Sequence, residues 1–311
     1  MSGEWQEPKQ VWIREVSPRD GLQAEKVIVA TGDKIALVNQ LTRAGVPRIE
    51  VTSFVSPQWL PQMADAEQVM AGIDRRPGVV YSVLVPNPLG AERALATRPD
   101  EMTVFVSASE THNHKNVHRS IAESLKGFAD ICTMAKPHGV TISAVIVTAF
   151  GCPYEGVVPL SHVLELAGRL RDLGIHELAL GDTVGVANPR QVAQVVQAFH
   201  QAWPDMPLAL HFHDTRGTAL PNLLAAVGSG ASRFETALGG IGGSPFSPGA
   251  GGNLSTEDTV YCLQEMGIDT GIDLDQLLAA SRFLVATLGH DVPSKVLHAG
   301  GKMIPVNAQT S

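Results

Sequence analysis

Short β-branched runs followed by longer stretches of helical period recur eight times in this chain, and that alternation constrains its fold more than any other feature. The strand candidates are Val11–Val16, Arg48–Thr52, Val79–Val85, Glu101–Val106, Thr141–Thr148, Glu177–Leu180, Leu208–Phe212 and Arg233–Thr236. Alternation of this kind is the signature of a parallel sheet with helical crossovers. Eight repeats predict an α/β protein of the closed (β/α)8 barrel type rather than an open sheet, and 311 residues suit one such unit. Thr31-Gly32-Asp33 is predicted to open a helix over Lys34–Ala44 that Gly45 closes, and Asn188-Pro189 reads as a cap followed by a first-turn proline.

The barrel with its C-terminal helices is assigned to residues 11–303, with an N-terminal arm over 1–10 and a tail over 304–311. From Gly239 to Asn253 the chain holds seven glycines and two prolines directly after the eighth strand. A helix or strand is disfavoured there, and the segment reads as a mobile lid over the barrel mouth.

Composition narrows the partners. A hydrophobic content of 44% against 17% charged residues supports a large core and excludes disorder as the main state. Lys+Arg 23 against Asp+Glu 31 gives a net charge of −8, with neither sign gathered into a block. The electrostatic footprint of a nucleic-acid or anionic-membrane binder is therefore missing. Three cysteines without a CxxC spacing argue against a disulfide framework and a thiolate zinc site, and point to a reducing, cytoplasmic setting. No apolar run has signal-peptide or membrane-span length. A homodimer is the expected assembly.

In a (β/α)8 barrel the chemistry sits at the C-terminal ends of the strands. Strand one runs out into Ser17-Pro18-Arg19-Asp20-Gly21-Leu22-Gln23, strand two carries Glu50, strand six ends in Gly181-Asp182-Thr183, and strand seven ends in His211-Phe212-His213-Asp214. Residues i and i+2 of a strand share a face, so His211 and His213 both turn into the mouth, and closure brings Asp20 near them. Two imidazoles and a carboxylate form a common open divalent-metal site. Arg19 beside Asp20 either stabilises oxyanion charge or forms a rim ion pair with Glu50 or Asp182. Glu50 either orients a water at the metal or simply pairs with Arg19. Asn253 adds an amide oxygen to the ligand candidates, and with Ser244 it is a polar group of the lid able to fold over a substrate.

Three histidines, His112, His114 and His118, lie within seven residues but are placed in a polar loop after strand four, with only Glu110 as a nearby carboxylate. Substrate or phosphate contact by His114 or Lys115 is the better reading than a metal. Cys152 reads as packing near the mouth, and Cys132 and Cys262 as buried helix positions. The glycine-rich segment has neither GxxxxGK[ST] nor GxGxxG, which argues against a nucleotide cradle.

Taken together, Arg19-Asp20-Gly21-Leu22-Gln23-Ala24-Glu25-Lys26, Ile49-Glu50-Val51-Thr52-Ser53-Phe54-Val55-Ser56-Pro57, Gly151-Cys152-Pro153-Tyr154-Glu155-Gly156, Leu180-Gly181-Asp182-Thr183, His211-Phe212-His213-Asp214 and Gly252-Asn253-Leu254-Ser255-Thr256-Glu257-Asp258 resemble the 3-hydroxy-3-methylglutaryl-CoA lyase family, from about Val11 to Met303. Leu22-Gln23 resembles the lyase branch, where related Claisen synthases carry Glu-Gln. The resemblance implies a TIM-barrel enzyme that cleaves a 3-hydroxyacyl-CoA to acetyl-CoA and a keto acid. It implies Mg2+ or Mn2+ on Asp20, His211, His213 and Asn253, enolate stabilisation by Arg19, and a base at His211 or at a water held by Glu50. Gln23, Lys26 and Asp182 join Arg19 as expected substrate contacts.

The departures are specific. Ser244 stands where the family's lid motif Gly-Gly-Cys-Pro carries a catalytic cysteine, and a hydroxyl is a far weaker acid than a thiol of pKa about 8.5. Ser143 and Val145 stand where strand five of the family typically shows arginine and tyrosine, and Ala179 replaces a usual serine. These changes predict an altered grip on the acyl group. The competing readings are a lyase for a different 3-hydroxyacyl-CoA, a Claisen-condensing synthase, and a weakly active acyl-CoA-binding protein.

Overall fold

The computed structural model describes residues 8–243 and 251–301. Eight strands, β1 (Trp12–Glu15), β2 (Arg48–Ser53), β3 (Val80–Leu84), β4 (Glu101–Ser107), β5 (Thr141–Val147), β6 (Glu177–Asp182), β7 (Leu208–Phe212) and β8 (Arg233–Thr236), close into a barrel in chain order. Every neighbouring pair is parallel, β8 pairing with β1 to complete the ring. Helices alternate with them: α1 (Thr31–Arg43), α2 (Ala66–Gly72), α3 (Pro88–Ala96), α4 (Glu110–Val117), α5 (Ile121–Ala135), α6 (Leu160–Asp172), α7 (Pro189–Ala202) and α8 (Ala219–Val227). Three more, α9 (Thr256–Glu265), α10 (Leu274–Leu288) and α11 (Lys295–Ala299), follow β8, with α10 packed on α1. Among the described residues no helix is long and apolar enough to cross a membrane.

The period-2 alternation of each strand separates two interiors. Outward residues such as Val104, Val106, Ala144, Ile146, Leu178, Leu180 and Leu210 join the main core beneath the helices, whereas inward Val145, Ala179 and Ala209 form a separate cluster inside the barrel. The inner floor is ionic. Arg48, Glu101, Glu177 and Arg233 are the first residues of β2, β4, β6 and β8, and Arg14 of β1 lies among them. Arg14 reaches Glu101 and Glu177 at 2.6 Å each and Glu235 at 2.8 Å. Burial pushes the Glu101 carboxyl up, but Arg14, His176 and Arg48 outweigh it and hold it at about 2. Each buried charge is thus opposed, the condition under which such a network is tolerated.

Several local expectations need correction. The first helix starts at Thr31, not Lys34, and its N-cap is Ala30, which supplies no side-chain acceptor. Gly45 ends it at φ +85°, where a Cβ would also meet the Gly271 carbonyl oxygen at 2.5 Å. The expected polar loop with His112, His114 and His118 is instead mostly α4: the Ser109 hydroxyl accepts from the His112 amide, and His118 closes the helix in a left-handed conformation. Cys132 and Cys262 are half-buried rather than buried. Asn188 does cap α7, accepting from the Gln191 amide ahead of Pro189. Lys9 and Gln10, assigned to the arm, pair with Asp269, while 1–7 and 302–311 lie outside the described residues.

Candidate active site

β1 leaves the barrel through a single π-helical turn, Ser17–Gly21, in which the Val16 carbonyl receives the amides of Arg19, Asp20 and Gly21. Pro18, which has no amide to satisfy, sits in its first turn, and turns of this type recur at functional sites. The turn buries both charged side chains at the mouth. Arg19 donates from Nε to Glu50 Oε2 at 2.5 Å and from Nη1 to Asp20 Oδ1 at 2.6 Å. Its ion-pair reading is therefore observed with Glu50, and the guanidinium is fixed between two carboxylates. Burial opposes ionisation of Asp20, but Arg19, His211 and His213 outweigh it and keep the carboxyl below its usual range.

His211 and His213 face each other from the end of β7, with ring centroids 5.1 Å apart. His211 Nδ1 donates to Glu235 Oε2 and His213 Nδ1 to the Gly251 carbonyl, each at 3.1 Å. Both Nε2 atoms then converge at 3.1 Å. Two imidazole lone pairs that close need a positive charge between them, a proton or a metal cation. Burial and the neighbouring His211 bring His213 down to about 4, which leaves it neutral at pH 7 with a lone pair able to accept a cation.

Asp20, His211 and His213 each offer one ligand atom, all within 4.8 Å of one another. After the glycine-rich segment the chain returns along β7: the Asp214 amide donates to Gly252 O, the Leu254 amide to Phe212 O, and His213 bridges Asn253. Asn253 Nδ2 donates to Asp20 Oδ2 at 2.8 Å and to Ile241 O at 3.0 Å. Its Oδ1 is buried without a partner among the described residues. A hard carboxylate, two oriented imidazoles and an orphaned amide oxygen fit a divalent cation.

The remaining expected site residues separate. Gln23 is half-buried and donates to Asp20 Oδ1 at 3.1 Å, which brings it into the cluster. Lys26 is exposed on the loop after the π turn. Asp182 is fully buried, and its oxygens accept the Val186 and Ala187 amides at 2.9 and 3.0 Å, so it shapes the loop after β6. Ser244 lies outside the described residues. The glycines before it are explained: at Gly242, with φ +113°, a Cβ would lie 2.4 Å from Asn253 Nδ2 and 3.4 Å from Asp20 Oδ2. His114 is on the exposed face of α4, 3.4 Å from Glu110.

Two residues escaped the sequence reading. Glu235 orients His211, and the signal was present, because Arg233 and Glu235 alternate inward on β8 just as His211 and His213 do on β7. Thr148, at φ +59°, follows β5 at the mouth and is held by Ser107 and Thr183. A β-branched residue in that region is strained, and no sequence pattern announces it.

The HMGL-like family model matches residues 10–284. Hydroxymethylglutaryl-CoA lyase YngG of Bacillus subtilis is 49% identical over 93% of this chain and 97% of its own length. A crystal structure of the Bacillus subtilis HMG-CoA lyase superposes with a TM-score of 0.92 at 47% identity, covering 96% of this chain and all of that one. The Acinetobacter baumannii HMG-CoA lyase, solved in complex with coenzyme A and 3-methylmalate, gives a TM-score of 0.92 at 45% identity over 96% and 98% of the two chains. With a family match across most of its length and identities of this size on the same barrel, the chain belongs to the HMGL-like family and is a carbon–carbon lyase.

Proposed function

We propose that the protein catalyses retro-Claisen cleavage of a 3-hydroxy-3-methylglutaryl-CoA-type thioester to acetyl-CoA and acetoacetate or a related keto acid. The observation that carries this reading is the convergence of Asp20, His211 and His213 beside the fixed guanidinium of Arg19. The named relatives support the thioester class, and the coenzyme A complex of one of them supports an acyl-CoA substrate.

Asp20, His211, His213 and the Asn253 amide oxygen would hold Mg2+ or Mn2+, which when bound supplies Lewis acidity at the substrate's 3-hydroxyl. Glu235 keeps His211 in the tautomer that offers Nε2 to the ion. With both ring nitrogens of His211 so engaged, we assign the base to Glu50, which Arg19 holds in place. The hydroxyl proton passes to Glu50, the C2–C3 bond breaks as the ketone forms, and the electron pair enters the thioester as an enolate. Arg19 faces that negative charge as a preorganised cation. A proton delivered to C2 from the lid side, through Ser244 or a water, completes acetyl-CoA. Its three cysteines, without a pairing pattern, support a reducing cytosol as its setting.

The test is product identification after incubation with 3-hydroxy-3-methylglutaryl-CoA and Mg2+ or Mn2+. Acetyl-CoA and a keto acid appearing in equal amounts support the lyase. Consumption of acetyl-CoA with a keto acid, and no cleavage, would make it a synthase.

A further inference from the structure

One layer below the histidine pair the inner wall of the barrel changes character. Val145 of β5 is in register with Phe105 of β4 and with Ala179 of β6, which pairs in turn with Ala209 of β7. Val145, Ala179 and Ala209 form a cluster separate from the main core, with Phe105 and Val147 packed against it. Phe105 and Val147 are only half-buried. Inside a closed barrel sealed by an ionic floor, their open surface faces the mouth.

The position relative to the chemistry follows from the strand. Ala209 precedes His211 by two residues on the same face, so the layer lies about 6–7 Å below the His211 Nε2 plane. Ala179 and Ala209 are small, and the accessible apolar surface of this layer is the exposed part of Phe105 and Val147. Beneath them the Ser143 and Thr103 hydroxyls bond at 3.1 Å, Ser143 also bonds Glu101, and Arg14 holds three carboxylates, while Arg14 Nε and Arg48 Nε are buried without a partner among the described residues. A charged or hydrogen-bonding group resting on Val145, Ala179, Ala209, Phe105 and Val147 meets no polar side chain of that cluster, whereas a hydrocarbon loses only water.

We propose that this apolar layer receives the substituent on the substrate's 3-carbon and selects 3-hydroxyacyl-CoA thioesters bearing an unbranched alkyl group longer than methyl. The proposal rests on the lyase reading, because that reading places the 3-hydroxyl at the donor set and so points the neighbouring substituent downward. Methyl fills only part of the layer, and each further methylene buries apolar surface until the Thr103 and Ser143 level stops it.

The experiment is kcat/KM for the Mn2+-loaded enzyme on 3-hydroxy-3-methylglutaryl-CoA and its 3-ethyl, 3-propyl, 3-butyl and 3-hexyl homologues. The expected profile rises about four-fold per methylene and falls again at hexyl. Val145→Thr keeps the shape of the wall and adds a hydroxyl, and it should flatten the rise while Mn2+ affinity stays within two-fold of wild type. Ala179→Leu fills the space and should move the optimum toward methyl. A wild-type profile that is highest for methyl and declines with every added carbon overturns the pocket and leaves the lyase standing. A rise that Val145→Thr and Ala179→Leu both leave unaltered also overturns it. Failure to cleave any member with Mn2+ bound overturns the lyase reading, and the pocket with it.

Discussion

Glu235 joins the floor of the barrel to its mouth: Oε1 accepts from Arg14 Nη1 at 2.8 Å, and Oε2 accepts from His211 Nδ1 at 3.1 Å. Burial pushes its carboxyl up, but His211, Arg14 and Arg19 more than compensate and hold it at about 2. The carboxylate is therefore ionised at any working pH and fixes His211 with Nδ1 protonated. A rigid ionic floor thus sets the direction of a ligand lone pair one layer above it.

Glu235→Gln removes the charge and keeps the volume. The ring of His211 loses its fixed tautomer, and Mn2+ affinity should fall by about 10–100-fold, the usual effect of losing a carboxylate behind a histidine ligand. Titration of the variant with Mn2+, with circular dichroism to verify the fold, reads this directly. Unchanged affinity would remove Glu235 from the orientation of the site.

Gly242 touches the site through the space it leaves empty. Gly242→Ala introduces a Cβ into Asn253 and imposes φ +113° on a residue with a side chain. The variant should keep its thermal transition within a few degrees and lose both Mn2+ affinity and cleavage by about ten-fold or more. Wild-type values would show that Asn253 need not stay where it is.

These two positions mark how far the sequence was legible. The eight strands are readable because β-branched runs alternate with amphipathic stretches, and the His211/His213 pair because a period of two puts them on one face. Asp20 is readable from its place at the end of the first strand. Helix α4 is not, because ETHNHKNV has no apolar stripe. It folds through side chain to backbone bonds: Ser109 caps it, while Asn113 accepts the Ser107 amide and donates to Arg119 and Ser124. Asn253 is readable as a ligand candidate, but the bridge to His213 that fixes its place comes from 40 residues further along the chain, beyond the reach of local pattern.

Ser244→Cys should raise kcat, because a thiol of pKa about 8.5 is a far better proton donor than a hydroxyl. The gain should be similar for every acyl substrate, since this proton goes to C2 and the apolar layer contacts the substituent on C3. Pre-steady-state rates with two alkyl homologues test it. A gain confined to the methyl substrate would contradict the separation of the two roles.

His112 is 1% exposed with both ring nitrogens lacking partners among the described residues, and its ring lies 6.0 Å from that of Tyr154. Burial lowers its pKa below the ordinary value, with Glu155 opposing weakly. The folded state therefore binds this proton less readily than the unfolded chain. Its contribution to stability is fully present above about pH 6.5 and is lost as pH falls from there through the lower folded value. His112→Phe should flatten the stability profile in that window, so that the variant's stability at pH 5 falls less below its own value at pH 8 than the wild type's does. Urea midpoints between pH 5 and 8 check this, and parallel profiles would place the acid sensitivity elsewhere.

The most direct measurement of the central claim is Mn2+ binding and acetyl-CoA release recorded on the same samples of wild type, Asp20→Ala and His213→Ala. The account predicts one tight Mn2+ per wild-type chain, activity that rises in step with its occupancy and disappears with a chelator, and loss of both signals in the two variants while the fold is retained. Chelator-resistant cleavage, or variants that lose neither binding nor activity, would contradict it.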